Sequence, residues 1–521
     1  MSSRLILPRL SRRAVLGTGA AFAASLAMPA ISRAQNRPVF GHGVQSGDPT
    51  ASSGVVWTRP DRPSRVVLEM ATTESFDNAT RVAAMDALPD SDMAVKAMLT
   101  DLPADQRIFY RFTAADLSDI NNVSEPVIGQ FRTAPTEKRN IRFVWSGDTA
   151  GQGWGIDENG MRTYATMSQH EPDFMIHSGD TIYADGPMTE EQEYDGGVWK
   201  NTVLTDEVRK VAETLDEYRG RYKYNMLDEH VRAFNAMTPI YYQWDDHEVT
   251  NNWSPGKDLS GDDRYTEKSI ALLSARGGRA FHEMNPISYT PAEPGRVFRK
   301  MSYGPSLDIF FLDLRSYRPA NNDGMQEEIT PEAIVLGQRQ VAWLKDALKT
   351  STATWKVIAC DMPISIVVWD NFADASGVEA VANGEDGPAK GRELEFADLL
   401  RFIRDESIRN TVWLTADVHY TAANHYSPDR AQFQEFNPFW EFVSGPLHAG
   451  TFGPNAMDMT FGPKVEFVKA PEEGQVNLPP SAGLQFFGIV DIDGESEQMT
   501  VRLMDVADSE LWSITLDPEM A

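Results

Sequence analysis

The chain has 521 residues, a net charge of −28 and a sequence pI near 4.7. This acidic excess excludes binding to nucleic acid or to an anionic membrane through a broad basic face, because like charges repel. Cys360 is the single cysteine, so neither an intramolecular disulfide nor a cysteine-based zinc site can form.

The first 34 residues have the pattern of a twin-arginine signal peptide. The arginine pair of SRRAVLG (11–17) precedes an Ala/Gly-rich apolar stretch, and Ser32 and Ala34 predict cleavage before Gln35. A cytosolic amino-terminal helix is the alternative. We expect this segment to engage the twin-arginine export machinery and the mature chain to be periplasmic or secreted. Since no other stretch is apolar over the length needed, no integral membrane segment is expected.

Residues 37–135 predict a small β-sandwich domain. Short apolar segments such as GVVWTRP, SRVVLEMA and RIFYRFTA are separated by turns rich in Pro, Gly and Asp, without helical periodicity. PTEK, residues 135–138, has the composition of a linker. From residue 139 to 521 strands alternate with helices, which predicts an α/β domain.

Within the α/β part, one helix has clear sequence signals. Thr330 predicts its N-cap and Pro331 its first turn, and the following AIVLGQRQVAWLKDALK has apolar residues at three- and four-residue spacing. Residues 485–517 are expected to form strands. Two segments, 252–265 and 368–392, are expected to be surface loops.

Several apolar strands of this part end in aspartate: RFVWSGD, FMIHSGD, IYYQWDDHE, VIACD and VWLTADVH. The aspartates are Asp148, Asp180, Asp245 or Asp246, Asp361 and Asp417. Ligands of α/β sheets bind beyond the carboxyl ends of the strands, so these carboxylates are expected to converge. Without a matching set of Lys or Arg they would repel one another, which predicts bound cations. His247 and His419 lie in the same segments and add nitrogen donors. For each aspartate alone, a turn or a helix N-cap is the alternative.

The motifs FGHGVQSGDP with VVWTR (40–59), GDTIY, WDDHE and ADVHY resemble the alkaline phosphatase D family of metallophosphoesterases. GDxxY is also similar to a motif of the purple acid phosphatases. The resemblance runs from residue 38 to the C-terminus. It implies an α/β catalytic domain, a two-sheet sandwich flanked by helices with a dinuclear metal centre at the rim of the sheets, preceded by the small N-terminal β-sandwich domain.

The resemblance also implies roles for particular residues. Asp148 matches the first metal aspartate, Asp180 the bridging aspartate and Tyr183 the tyrosine that binds ferric iron. His247 takes the place of a catalytic histidine that is not a ligand, and it forms the implied catalytic set with the first two aspartates. The implied metal ligands are Asp148, Asp180, Tyr183, Asp246, Asp361, Asp417 and His419. Whether Asp245 or its neighbour binds metal stays open.

The implied metals are Fe³⁺, because of Tyr183, and one or two Ca²⁺, because carboxylate oxygens are hard ligands. Mg²⁺, Mn²⁺ and Zn²⁺ are less favoured substitutes. Many family members have a cysteine ligand after the first catalytic strand. Here that position reads WSGD, so Ser146 or Asp148 must serve instead. Cys360 is expected in the core and His448 in a surface loop.

Two pairs of residues each allow two interpretations. Arg315 and Arg318 could bind substrate phosphate through bidentate contacts, or could pair in the interior with Asp313 or another acid. Asn251 and Asn252 could orient substrate or cap a helix. Arg315 and Asn251 are our candidate substrate-binding residues.

These features predict a secreted metal-dependent phosphoesterase that hydrolyses phosphate monoesters or diesters by metal-activated hydroxide attack. His247 would donate a proton to the leaving group or hydrogen-bond the transition state. No serine or cysteine has the signature of an activated nucleophile, so no covalent phosphoenzyme is expected. One alternative is a phospholipase D-type phosphodiesterase acting on lipid head groups, which a wide apolar rim would favour. The other is a non-catalytic secreted binding module with structural metals.

Overall fold

The computed structural model describes residues 36–371 and 373–519. The predicted signal peptide lies outside the described residues. Among those described, no helix has both the length and the apolar content required to cross a bilayer.

The strands of the described chain build three main sheets and two small hairpins. In chain order they are β1 (Val44–Gly47), β2 (Gly54–Thr58), β3 (Ser64–Ala71), β4 (Thr80–Ala87), β5 (Val95–Leu99), β6 (Arg107–Asp116), β7 (Asp119–Val123), β8 (Val127–Arg132), β9 (Ile141–Ser146), β10 (Phe174–Ser178), β11 (Glu191–Tyr194), β12 (Gly197–Lys200), β13 (Ile240–Gln243), β14 (Arg299–Ser302), β15 (Leu307–Phe311), β16 (Trp355–Ala359), β17 (Trp369–Asn371), β18 (Ser376–Val378), β19 (Thr411–Thr415), β20 (Thr421–Tyr426), β21 (Phe439–Val443), β22 (Pro463–Lys469), β23 (Phe486–Ile492), β24 (Met499–Asp505) and β25 (Glu510–Leu516).

The α-helices flank the sheets. They are α1 (Arg162–Ser168), α2 (Leu215–Asn225), α3 (Glu229–Met237), α4 (Ile270–Met284), α5 (Gly337–Thr350) and α6 (Glu393–Asp405). Local capping explains where some of them begin. Thr214 and Glu217 form a capping box at α2, and the Asp228 carboxylate accepts two backbone N–H bonds at the start of α3.

Two mixed sheets face each other. One has nine strands in the order β25-β24-β23-β9-β10-β13-β1-β2-β5, and the other has seven in the order β14-β15-β16-β19-β21-β20-β22. The central strands β9, β10 and β13 of the first sheet are parallel, as are β15, β16, β19 and β21 of the second. The carboxyl ends of several strands therefore lie at one edge of each sheet.

Side-chain alternation along the central strands builds the core on both faces of each sheet. In β10, Phe174 and Ile176 pack between the two sheets, whereas Met175 packs on the outer face among the helices. Strands buried on both faces read as continuous apolar runs, as FMI does here. Helices α5 and α6 cover the outer face of the second sheet through residues such as Leu344 and Leu400. The predicted two-sheet α/β fold is confirmed.

The N-terminal segment consists of strands, as predicted. Strands β3, β4, β6, β7 and β8 form a separate five-stranded sheet. In β6 every second residue from Ile108 to Ala114 is buried, which is the pattern of a sheet with one face on a core. Strands β1, β2 and β5 instead extend the nine-stranded sheet, with β1 pairing parallel to β13. The 37–135 and 139–521 boundaries remain predictions.

Helix α5 begins at Gly337 and not at the predicted cap Thr330. The Glu395 carboxylate on α6 accepts hydrogen bonds from the backbone N–H groups of Val335 and Leu336, each at 2.7 Å, and from that of Gly337 at 3.1 Å. An acid from another helix thus satisfies the backbone N–H groups that have no partner within the helix at this start. The prediction was wrong because the deciding residue is distant in sequence.

The segment 252–265 is a loop, as expected, but 368–392 is only partly a surface loop. Strands β17 and β18 form a hairpin within it, and residues 378–383 are buried. Burial follows from Glu379, whose carboxylate pairs with two interior arginines. The strands predicted for 485–517 are present as β23, β24 and β25.

Candidate metal centre and active site

The strand-end aspartates lie at the rim shared by the two sheets. Asp148, Asp180 and Asp245–Asp246 follow the parallel strands β9, β10 and β13 of one sheet. Asp361 and Asp417 follow the parallel strands β16 and β19 of the other. All of these aspartates are buried except Asp417, which is partly exposed.

The backbone is strained where these side chains are presented. Asp148, Asp180, Asp417 and His419 have φ values of 67°, 50°, 64° and 60°. This left-handed region is unfavourable for residues other than glycine and is concentrated at functional sites. The chain also approaches closely here, because a Cβ added at Gly445 would lie 2.2 Å from Asp148 Oδ2. The turns after the strands are thus built to aim particular side chains.

The first potential metal site is formed by Asp148, Asp180 and His419, whose ligand atoms lie within 4.8 Å of one another. Both carboxylate oxygens of Asp148 are buried and have no hydrogen-bond partner in the described part of the chain. Such unpartnered buried oxygens are costly unless a cation is bound. The Tyr183 hydroxyl lies 2.7 Å from His419 Nε2, so this phenol belongs to the same site.

The His419 ring is oriented for metal binding. Its Nδ1–H donates to the carbonyl oxygen of Gly450, which leaves Nε2 unprotonated toward Tyr183 and Asp148. Burial lowers the pKa of His419 to about 4. The ring is therefore neutral at physiological pH, as a metal-ligating imidazole must be.

Two further groups of potential ligands adjoin the first. One consists of Asp180, Asp246 and His247, and the other of Asp245, Asp246 and Asp417. Burial, followed by repulsion from neighbouring carboxylates, raises the pKa of Asp180 and of Asp417 well above the ordinary value. The rim therefore carries more negative charge than the protein neutralises. Oxygen-rich groups of this kind fit hard cations.

Arg315 lies among these carboxylates, so the protein itself neutralises part of their charge. Its side chain is 0% exposed. The guanidinium is 2.5 Å from Asp245 Oδ1, 3.0 Å from Asp361 Oδ2 and 3.2 Å from Asp417 Oδ1, and it also pairs with Glu379. Pairing with interior acids is thus the interpretation that the contacts support. Direct substrate binding by Arg315 is contradicted by its complete burial.

Arg318 is buried in the same way and pairs with Glu379 at 2.7 and 2.8 Å. The Asp313 carboxylate pairs with neither guanidinium. It accepts hydrogen bonds from the backbone N–H of Arg315 and from Ser316. The FFLDLRSYR segment is therefore an internal charge network and not a phosphate-binding surface.

His247 belongs to one of the groups of potential metal ligands by distance, but its ring is held by Asp185. Its Nδ1 is 2.5 Å from Asp185 Oδ1, and its Nε2 is 4.0 Å from Asp246 Oδ2. Burial lowers the pKa of His247, but the Asp246 and Asp185 carboxylates outweigh burial and raise it to about 10. The imidazole is therefore protonated at neutral pH and can donate a proton.

Sequence reasoning missed Asp185 and Glu248, although each lies within a motif that it used. Asp185 ends GDTIYAD, and nothing in the sequence distinguishes it from an aspartate that simply forms a turn. Glu248 ends WDDHE, is fully buried, and accepts backbone N–H bonds from Asp180, Thr181 and Asp245. It fastens the turn after β10 to the turn after β13. The signal available in the sequence was a third acidic residue directly after two aspartates and a histidine at a strand end.

The remaining predicted residues are placed as follows. Asn251 is exposed, lines the cavity, and donates its backbone N–H to Asp185. Ser146 donates its hydroxyl hydrogen to the Phe486 carbonyl, so only Asp148 is free to replace the missing cysteine ligand. Cys360 is buried in the core, as expected.

His448 was predicted to lie in a surface loop, but its side chain is buried and the residue is only 2% exposed. Its backbone pairs with the turn that carries Asp148, and its Nε2 lies 2.9 Å from the Gly155 carbonyl oxygen. The prediction was wrong because the partner strand ends are far away in sequence.

A cavity of about 1010 Å³ opens over the metal groups. Its floor includes Asp180, Tyr183, His247, Asp417 and His419. One wall is apolar and includes Val367, Val368, Trp369, Phe452, Pro454 and Val476. Backbone hydrogen bonding between residues 366–367 and 456–457 joins the two loops that carry most of this wall. The cavity thus combines an anionic, potentially metal-binding floor with an apolar side.

Comparison with known proteins agrees with this arrangement. Residues 143–503 match the family model of the PhoD-like phosphatase, and residues 24–135 match that of the PhoD-like phosphatase N-terminal domain. Alkaline phosphatase D of Bacillus subtilis (strain 168) is 29% identical over 438 residues, which cover 80% of this chain and 70% of that protein.

Two solved structures share the fold. The structure of PhoD aligns with a TM-score of 0.69 and 22% identity, covering 92% of this chain and 90% of that one. A purple acid phosphatase, PPD1, from yellow lupin (Lupinus luteus) seeds aligns with a TM-score of 0.53 and 11% identity, covering 92% and 74%. The family models together span most of the sequence. The chain belongs to the PhoD-like phosphatase family and is a hydrolase of phosphoric esters.

Proposed function

We propose that this protein is a secreted metal-dependent phosphoesterase that hydrolyses phosphate monoesters or diesters in the cavity above the strand-end aspartates. The observation that carries the proposal is the Asp148 carboxylate, which is buried with both oxygens unpartnered among the described residues beside Asp180 and His419. Secretion is proposed from the twin-arginine pattern of residues 1–34.

The donor sets support two kinds of ion. Asp148, Asp180, Tyr183 and His419 offer oxygen, phenol and imidazole donors suited to Fe³⁺. Asp245, Asp246 and Asp417 offer only carboxylates and suit Ca²⁺. When bound, such ions supply Lewis acidity toward the phosphoryl oxygens and make water a nucleophile at neutral pH.

The protein's own groups complete the reaction. Asp185 accepts from His247 Nδ1, which orients the ring so that Nε2 faces the cavity. Nε2–H donates its proton to the leaving-group oxygen as the ester bond breaks. Asn251 lines the mouth of the cavity beside this ring and can hydrogen-bond the substrate. The buried floor limits access of bulk water to the reacting group.

The phospholipase D-type alternative keeps the same chemistry and is favoured by the apolar wall. Trp369, Phe452 and Val476 present a surface suited to an apolar alcohol group, and Val476 is 68% exposed. The binding-module alternative is disfavoured, because a structural metal site needs no protonated histidine beside it. The Asp185–His247 pair supports a role in proton donation.

Hydrolysis of three substrates tests the proposal: a chromogenic phosphate monoester, a chromogenic phosphate diester and a short-chain phospholipid. We expect turnover of a monoester or a diester by the metal-loaded protein, and loss of turnover in Asp180→Asn. Preference for the phospholipid would select the lipid alternative. Absence of hydrolysis in all three assays, with metals bound, would favour a binding module.

A further inference from the structure

We infer that Arg315 takes the place of a metal ion at this rim: its guanidinium holds Asp245 and Asp361 and thereby limits the centre to two ions. The inference rests on the proposed function, because it concerns the same centre. It also changes the assignment of Asp361, which the sequence suggested as a metal ligand.

The contacts of Arg315 are those of a bound cation. Each guanidinium nitrogen is paired with at least one carboxylate: Nε with Asp245 and Asp361, Nη1 with Glu379, and Nη2 with Asp245 and Asp417. These partners come from four separate segments of the chain, which follow strands β13, β16, β18 and β19. A guanidinium stays protonated at any physiological pH, so this positive charge is permanent.

Asp361 serves the guanidinium and not the metal groups. It contributes to none of the three groups of potential ligands in the described chain, and its Oδ2 accepts from Arg315 Nε at 3.0 Å. Asp245 belongs to one of those groups, but its Oδ1, which is 2.5 Å from Arg315, pairs with the guanidinium. Asp417 is shared, since it belongs to a potential metal group and also lies 3.2 Å from the guanidinium.

Removing the guanidinium would leave a space that attracts a cation. Asp245 Oδ2 and Asp361 Oδ1 are buried without hydrogen-bond partners among the described residues. Without Arg315, Asp245 and Asp361 would lose their positive partner in the interior, whereas Glu379 would keep its pairing with Arg318. Breaking a buried pair in this way is strongly unfavourable. A divalent ion from solution would offset that charge. Arg315 is therefore a positioning residue that acts through the carboxylates and never contacts substrate.

Metal content measured by elemental analysis after equilibration with Fe³⁺ and Ca²⁺ tests the inference. We expect Arg315→Met to bind about one more divalent ion per chain than the wild type, at the vacated carboxylates. Arg315→Lys, which keeps the charge, should restore the wild-type count. Asp361→Asn should also keep that count, whereas Asp180→Asn, the positive control, should lose metal.

Two results would overturn the inference: a folded Arg315→Met protein with the wild-type metal count, or loss of about one ion per chain in Asp361→Asn. Circular dichroism shows whether each variant folds. If Arg315→Met does not fold, the metal count of Asp361→Asn decides between the two roles of Asp361. The count falls if Asp361 is a metal ligand and stays unchanged if Asp361 only pairs with Arg315. Hydrolysis is assayed on the same samples. A wild type that binds two ions but hydrolyses no ester would overturn the proposed function and leave this inference intact.

Discussion

At the scale of single residues, His247 differs from the other site histidine in charge and in partner. His419 is neutral and directs Nε2 at a potential metal site, whereas the Asp246 and Asp185 carboxylates raise the pKa of His247 and keep it protonated. We therefore expect His247→Ala to keep its metals and lose roughly two to four orders of magnitude in turnover. Elemental analysis and steady-state kinetics measure the two effects.

The control for this change is His170→Ala, because His170 precedes β10 and so lies at the opposite end of that strand from Asp180. It should retain wild-type turnover. If His247→Ala instead loses a stoichiometric amount of metal, the residue is a ligand, and its role as proton donor must be abandoned.

Asp185 should control the pH dependence of the reaction. Its carboxylate raises the pKa of His247, so Asp185→Asn removes part of that stabilisation and the pKa of His247 falls. An acid catalyst is lost as pH rises through its pKa. The basic limb of the kcat/KM profile should therefore move to lower pH.

Asp258→Asn is the matched control for Asp185→Asn, since Asp258 is an exposed residue of the loop 252–265 and accepts hydrogen bonds from Ser260. Its kcat/KM profile should keep the wild-type basic limb. If the Asp185→Asn profile also keeps the wild-type basic limb, Asp185 does not set the pKa of the group that donates the proton.

Tyr183 should give the iron-loaded protein a visible colour, because a phenolate bound to ferric iron produces a charge-transfer band. The Tyr183 hydroxyl lies 2.7 Å from His419 Nε2 in the first potential metal site. Tyr183→Phe should abolish the absorption band, and Tyr420→Phe, at another buried tyrosine, should not. An iron-containing but colourless wild type would exclude phenolate ligation.

At the scale of elements, the start of α5 depends on a residue in α6. Replacing Glu395 by Gln removes the anion that three backbone N–H groups share, so we expect a loss of about 1–3 kcal/mol in the free energy of unfolding. Chemical denaturation measures this loss. Asp398→Asn, at a partly exposed site of the same helix, should change stability by less than about 0.5 kcal/mol. Equal effects of the two changes would contradict the capping role.

Element-level patterns also mark what sequence could and could not predict. The apolar strands and their terminal aspartates are local patterns, and the structure contains both. The start of α5 and the burial of His448 depend on Glu395 and on the turn after β9, respectively, which are distant in sequence. The partners of Arg315 lie up to 102 residues away from it. Because no local sequence pattern indicates such distant pairings, the burial of Arg315 could not be predicted from the sequence.

At the scale of the whole molecule, the two sheets each bring aspartates to one rim, and the summed charge decides which ions bind there. Arg315 neutralises part of that charge, but the pKa of Asp417 and of Asp245 is still raised by burial and by neighbouring acids. The sequence suggested one or two calcium ions. If Arg315 takes the place of one ion, as we infer, we expect one calcium ion beside Fe³⁺.

We therefore expect a calcium-selective chelator to abolish hydrolysis while leaving the iron colour, and added Ca²⁺ to restore it. Carboxylate oxygens, which are the donors of Asp246 and Asp417, favour calcium over softer ions. Equimolar Zn²⁺ should restore less activity than Ca²⁺. Mg²⁺ is also a hard ion, so comparing it with Ca²⁺ tests calcium selectivity more stringently. Elemental analysis of the chelated sample should show iron retained and calcium lost. Undiminished hydrolysis in chelator, with calcium absent by elemental analysis, would show that the second ion is not calcium.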